Sequence, residues 1–476
     1  MSPGHHLLQG SILVLLAEAL LPLTGIVTAA FLTRSLGAAD YGLLTLAATF
    51  ISWIELAINS LFSRATVKVI GDAEDWRPAG ASLLRLHVWI SAGAMIVCWI
   101  LAKPTAALLN EPAMAGYLAL FALDIPIFSL ANCHRSMLVG RGQYRCRAGA
   151  SASRWITRLV LIIVLVKLGF SVRGAIVGSI GASLAELAIA RYYIRPGWPQ
   201  RGTTPSAIWD YALPVFFSAL ALRFLNLGLF LFKMLGGSAV QTGIYGAAQN
   251  AAMVMPGIFA AALSPLLLST MTRVLRSGDP EAARVLGHNA MRVVVGMLPI
   301  AAAVAAASSE IAVLLFGVHF AAAGPPMAIL FLAGLGLVML SLLTAILIAC
   351  GNPSWTLYLT APLLPAAIVG HFIAIPRFGL MGAASVTAIV TCLGALCGMV
   401  VVRKGLGIGM PTATFLRAVL LSGIVYPLVS FWPTPGLAIV VKMAAAAILT
   451  VGGFVLLSEL KQKEINFFWS FVRTAP

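Results

Sequence analysis

Four carboxylates lie inside otherwise apolar stretches of the chain: Glu18, Glu55, Asp124 and Glu186. A charge at the centre of a hydrocarbon layer costs about 3 kcal/mol to insert, so it persists only where it meets a partner, a wet cavity or an ion. Acids in such places can take up protons or bind cations. Arg223 and Lys233 occupy a comparable setting further along, and Arg34 closes the first apolar stretch. A guanidinium holds two phosphate oxygens at once, and an ammonium acts as a point charge. These three cations are therefore candidates for holding an anionic headgroup. A structural reading stands beside this one: Arg223 pairs with Glu18 or Glu55, while Arg34 and Lys233 cap helix ends by reaching to the lipid headgroups. All four acids belong to the first part of the chain. The apolar interior of residues 211–402 carries Arg223 and Lys233 but no acid.

The elements that position these residues follow from composition. Of 476 residues, 60% are hydrophobic and 10% charged, with a mean hydropathy of +0.98, more apolar surface than one soluble core of this length needs. The apolar runs recur at about twenty residues, the length at which a helix crosses hydrocarbon. Membrane strands would be half as long and would alternate polar with apolar. The chain reads as an all-α polytopic membrane protein of about fourteen transmembrane helices, the first over 8–33 and the last over 436–457. Most of the 31 Lys and Arg then fall in loops on one side, which places both termini in the cytoplasm. The net charge of +16 is explained by topology and an anionic inner leaflet, and not by nucleic acid. The first apolar run is too long for a signal-peptide core and reads as a retained helix. Arg135, Arg141, Arg145, Arg147, Arg154 and Arg158 read as one basic cytoplasmic cluster, there for topology and lipid contact or to recruit an anionic headgroup at the inner mouth. Prolines inside the spans, Pro22, Pro126, Pro214, Pro256, Pro299 and Pro362, permit kinks.

The chain also repeats itself about 200 residues apart. Arg34-Ser-Leu-Gly37 matches Lys233-Met-Leu-Gly236, Tyr41-Gly42 matches Tyr245-Gly246, and Phe170-Ser-Val-Arg-Gly-Ala175 matches Phe378-Gly-Leu-Met-Gly-Ala383. Matches in the same order argue for two homologous six-helix lobes, residues 1–203 and 204–405, followed by two further helices over 406–458 and an amphipathic cytoplasmic tail over 459–476. An even number of helices per lobe makes the repeats parallel, with a central cavity between them and exposure to each side in turn.

At FLTRSLGAADYGLLTLA, ALPVFFSAL, GIYGAAQNAA, LSPLLLSTMTRVLRSGD, FGVHFAAAGPPMAILFLAG, IACGNPSW and IPRFGLMGAAS, the chain resembles the oligosaccharide and polysaccharide flippases of the multidrug/oligosaccharidyl-lipid/polysaccharide exporter superfamily. The resemblance spans roughly residues 10–400. It implies a bacterial inner-membrane carrier that turns undecaprenyl-pyrophosphate-linked oligosaccharide from the cytoplasmic to the periplasmic leaflet, with H+ or Na+ as coupling ion. Polysaccharide polymerase and glycosyltransferases would be its partners. The seventh helix reads LRFLNLGLFLFK and lacks the Asp that many relatives carry there, so no carboxylate ion site carries over to the second lobe.

Enzymatic chemistry finds little support. There is no GxxxxGK[ST] phosphate loop and no HExxH pair, and no loop is long enough for a catalytic domain. No cofactor or metal is implied. The competing functions are a lipid II flippase or a cation-coupled multidrug exporter of the same superfamily and, from another class, a membrane glycan polymerase.

Overall fold

The structure is a computed structural model. It describes the backbone of residues 3–197, 217, 220–225, 227–434 and 436–459, and the side chains of these except 3–16, 18, 19, 61, 64, 65, 255, 261, 262 and 265. Glu18, Pro214, the boundary at residue 203 and the tail beyond Glu459 therefore lie outside the described side chains or residues.

All the regular elements described are helical. They are α1 (Pro3–Asp72), α2 (Trp76–Leu108), α3 (Ala113–Phe121), α4 (Asp124–Gly140), α5 (Tyr144–Leu165), a π turn (Val166–Phe170), α6 (Ser171–Tyr193), α7 (Gly228–Met234), α8 (Ala239–Arg276), α9 (Pro280–Gly296), α10 (Leu298–Ala306), α11 (Ser308–Phe316), a 3-10 turn (Val318–Ala323), α12 (Gly324–Ala349), α13 (Pro353–Thr360), α14 (Leu363–Leu406), α15 (Thr412–Ser430) and α16 (Ala438–Leu456). Lipid offers no hydrogen bonds, so an apolar chain must satisfy its backbone within each segment, and helices do this. Among the described residues nine stretches are long and apolar enough to cross a membrane. Three of them, at 41, 50 and 54 residues, are about twice the length of one crossing. The protein is an all-α, multi-pass membrane protein.

The residues matched in the sequence share backbone turns. Gly37 interrupts α1 at φ 74°, and its partner in the repeat, Gly236, follows α7 at φ 97°. The other matched turn is closer still: Ser171 has φ 47°, ψ −134° and Gly379, inside α14, has φ 55°, ψ −130°. A residue with a Cβ is strained in that region, so Ser171 adopts at some cost a conformation that Gly379 adopts freely.

Three of the prolines stand where a membrane-crossing stretch is interrupted and its next helix begins. Pro126 stands in the first turn of α4, Pro299 in the first turn of α10, and Pro362 immediately before α14. At those positions the missing N–H costs nothing. Pro22 does sit inside α1.

The chain divides into two compact units, residues 1–254 with 353–386, and residues 255–352 with 387–476. In the first, Ile70, Leu83, Leu84, Cys133, Met137, Leu138, Ala150, Ala190 and Ile194 form one apolar cluster. Gly178 lets α6 lie against Ile162 of α5, where a Cβ would come within 2.9 Å of the Ile162 side chain and backbone. Close backbone packing of this kind replaces the hydrophobic drive that lipid removes.

In the second unit, Ala303 and Ala307 pack with Val425, Val429, Ile439 and Ala446. Ion pairs fasten α16 at both ends. At its start, Lys442, 1% exposed, meets Glu310 at 2.8 Å, and the same carboxylate accepts from the backbone N–H and hydroxyl of Thr434. Beyond its end, Glu459 accepts from Arg292 Nε at 2.5 Å, from the Thr414 hydroxyl at 2.5 Å and from Arg417. Burial alone would raise the Glu459 carboxyl, but the bonds from Thr414, Arg292 and Arg417 outweigh it and hold the group below its ordinary value. A depressed folded value means that the clamp contributes fully above the unfolded carboxylate range and is lost as pH falls through the folded one. In detergent, wild-type thermal stability should drop on acidification more steeply than that of Glu459→Gln. Lys442→Met should lower stability by about 3 kcal/mol through the uncompensated Glu310, and equal midpoints at neutral pH would show that this pair holds nothing.

Candidate functional site

The interior of the first unit carries four polar stripes, one on each of four helices. On α1, Glu55, Asn59 and Ser63 recur at intervals of one helical turn. On α4 the stripe is Asp124, Asn132 and Arg135; on α5 it is Arg147, Ser151, Arg154 and Arg158; on α6 it is Ser179, Ser183 and Glu186. These helices bring the stripes together. Arg135 donates to Glu186 Oε1 at 3.0 Å and to Asn132 Oδ1 at 2.6 Å. Arg154 reaches Glu186 Oε2 at 3.4 Å, and its guanidinium lies over the Phe128 ring, 4.3 Å from the centroid. Asn132 donates to Asn59 Oδ1 at 2.5 Å, and one turn along Ser63 and Ser136 hydroxyls meet at 2.9 Å.

Within this group the acids are not equivalent. Glu186 is fully buried and held by two guanidinium groups. Glu55 Oε1 and Asp124 Oδ1 are enclosed but have no hydrogen-bond partner, and neither do the Nε groups of Arg154 and Arg158. Glu55 and Asp124 lie within electrostatic reach of each other and of Arg154, Arg158 and Glu186. Glu55, Asp124 and Glu186 thus lie among the arginines of α4 and α5, so the charge of the cluster depends on the protonation of its acids. One proton added to Glu55 or Asp124 raises the cluster's net charge by one in a medium that screens charge poorly.

Of the sequence candidates, the structure gathers Glu55, Asp124 and Glu186 into one site. The Glu18 side chain is not described. Lys233 is 6% exposed and pairs with Glu111 at 2.7 Å, while donating also to the Gly237 carbonyl at 3.1 Å. Arg34 is exposed on the last turn before Gly37. Arg223 is exposed and makes no ion pair among the described residues. The basic cluster is corrected: only Arg141 lies in the turn between α4 and α5, and Arg135, Arg154 and Arg158 are interior helix residues. The spacing of Arg147, Arg154 and Arg158 by seven and four positions is the signal that places them on one helix face. His134 and His371 are buried and each bonds through Nδ1 to the carbonyl one turn back. Among the described residues no three metal-ligating side chains cluster.

Comparison with known proteins gives a consistent family. No curated protein matches the chain by sequence. The fold matches that of the lipid II flippase MurJ in its inward closed conformation, with TM-score 0.74, 14% identity, and coverage of 97% of this chain and all of that one. It matches an inward-facing multidrug resistance MATE family transporter of the MOP superfamily with TM-score 0.65 at 16% identity, covering 82% of this chain and 98% of that one. A Vibrio cholerae MATE transporter aligns with TM-score 0.59 at 17% identity, over 85% and 97% of the two chains. The sequence model described as "Polysaccharide biosynthesis protein" matches residues 31–325. With more than half of its length covered by that model, the chain belongs to the polysaccharide biosynthesis protein family, and its fold is similar to that of the MurJ and MATE structures.

Proposed function

We propose that the chain is an alternating-access flippase of two parallel lobes that moves undecaprenyl-pyrophosphate-linked oligosaccharide from the cytoplasmic to the periplasmic leaflet. The observation that carries this reading is the division of charge within a family of polysaccharide biosynthesis proteins. Glu186 is compensated by two arginines, whereas Arg223, in the same unit, is exposed and without an ion pair among the described residues. An exposed guanidinium on a membrane helix suits a pyrophosphate entering from the headgroup layer, where two phosphate oxygens can be held at once.

The interior cluster supplies the coupling in this reading, and the proton is the ion it suits. A proton needs one free carboxylate oxygen, and Glu55 and Asp124 each offer one. A metal cation needs several oxygens at once and would sit beside Arg154 and Arg158, which repel it. Protonation of Glu55 or Asp124 raises the charge of the cluster by one, and the two charge states then favour different lobe arrangements. Glu186 is the anchor of the cluster and not a carrier, because both its oxygens are taken by arginines.

The test uses cell-surface polymer export at matched protein abundance. Arg223→Ala should abolish export with normal abundance, and normal export would remove the phosphate role. Glu55→Gln should preserve abundance and thermal stability while export becomes insensitive to collapse of the proton gradient. Glu186→Gln should instead lower the amount of folded protein, since Arg135 and Arg154 lose their counter-charge at a cost of about 3–5 kcal/mol. A stable Glu186→Gln variant with altered coupling would reverse these assignments.

A further inference from the structure

One contact in the first unit joins the two halves of the sequence repeat at matching places. After the turn at Gly37, α1 continues through Ala38, Tyr41, Gly42 and Thr45; after the turn at Gly236, α8 begins with Ala239 and continues through Gly243, Gly246 and Asn250. These two segments touch backbone to backbone. A Cβ on Gly42 would overlap the Ala239 carbonyl and come within 2.6 Å of Gly243 N, and a Cβ on Gly243 would overlap the Ala38 carbonyl. At Gly246 the nearest atom would be Thr45 Cγ2, at 3.0 Å. Deeper along the same crossing Asn250 donates to the hydroxyl of Tyr41 at 2.9 Å, with Tyr41 only 2% exposed. The ion pair of Lys233 with Glu111, in the turn between α2 and α3, lies at the same end of these helices. Lys233 is tied as well to Gly237, inside the turn that leads into α8.

We propose that the Glu111–Lys233 pair and the Gly42–Gly243 crossing form the latch of an outer gate, shut in this structure and opened to release the substrate. The proposal rests on the flippase reading and on the topology that puts this end outside. Two features suit a latch rather than a permanent joint. The crossing is held by close packing at glycines and a single side-chain hydrogen bond, Asn250 to Tyr41, so little has to break for it to part. The ion pair is a single charge contact between a loop and a helix end, and it can part into headgroup water where both ions are solvated. In this role Lys233 holds the gate and does not hold the pyrophosphate.

The experiment follows the reaction of a membrane-impermeant maleimide, added to the outside of intact cells, with a cysteine introduced at Ala247, which is wholly buried on α8. Labelling is read at that peptide by mass spectrometry and compared with the same chain lacking the introduced cysteine. In the latched background the reaction should be slow. Glu111→Gln, Lys233→Gln and Gly243→Val should each speed it by about tenfold by populating the open state. The double variant Glu111→Lys with Lys233→Glu should bring the rate back towards that of the parent, which a merely misfolded protein would not do. Unchanged labelling in all three single variants, or a swap that labels as fast as they do, would overturn the latch. Faster labelling from the cytoplasmic side alone would overturn its sidedness. The readout involves no substrate, so export lost in Arg223→Ala and labelling unchanged in Glu111→Gln would sink the latch while leaving the flippase reading intact.

Discussion

Charge inside hydrocarbon has to be matched, and this requirement organises the molecule. An isolated ionised side chain in a membrane helix is too costly to keep, so the acids and arginines of α1, α4, α5 and α6 impose a packing on one another. Glu186 draws Arg135 and Arg154 together, Arg135 draws Asn132, and Asn132 draws Asn59. The four helices are thereby fixed in rotation about their axes as well as in position. The same demand acts in the second unit, where Glu310 with Lys442 and Glu459 with Arg292 and Arg417 hold the last helix at its two ends. These last two helices are joined to their unit by buried charge and are not loosely appended to it.

Against that background the unpartnered atoms stand out. A buried polar atom without a hydrogen bond costs about 1–3 kcal/mol, and Glu55 Oε1, Asp124 Oδ1, Arg154 Nε and Arg158 Nε lie in one place. A purely structural cluster would be expected to close these bonds, as Glu186 does. Keeping two carboxylates close to two arginines without pairing leaves their protonation open to change, which is the property an energy-coupled carrier requires.

How much of this was legible in the sequence depended on whether the signal was local. Helix class and membrane placement follow from the length of each apolar run, and the turns at Gly37 and Gly236 follow from residues that occur in both repeats. The interior place of Arg154 and Arg158 was hidden because hydropathy counts each charge as a penalty and cannot see Glu186, about thirty residues further along. The seven-and-four spacing of Arg147, Arg154 and Arg158 is the local sign that they share one helix face. The pairing of Lys233 is not visible in the sequence, because its partner, Glu111, sits in a short turn between helices. Asp124, Glu55 and Glu186 were identified as interior acids one by one. Only the fold separates the anchored acid from the two that keep a free oxygen.

The central claim is that Glu55 and Asp124 exchange protons as the carrier cycles. Proton movement in sealed proteoliposomes, recorded with an internal pH dye after a labelled polyprenyl-pyrophosphate oligosaccharide is added, addresses it directly. The account predicts a substrate-dependent pH change for the wild type and none for a protein in which both acids are replaced by their amides. A pH change of equal size in that double variant, or none in a wild type that still flips the substrate, would contradict it.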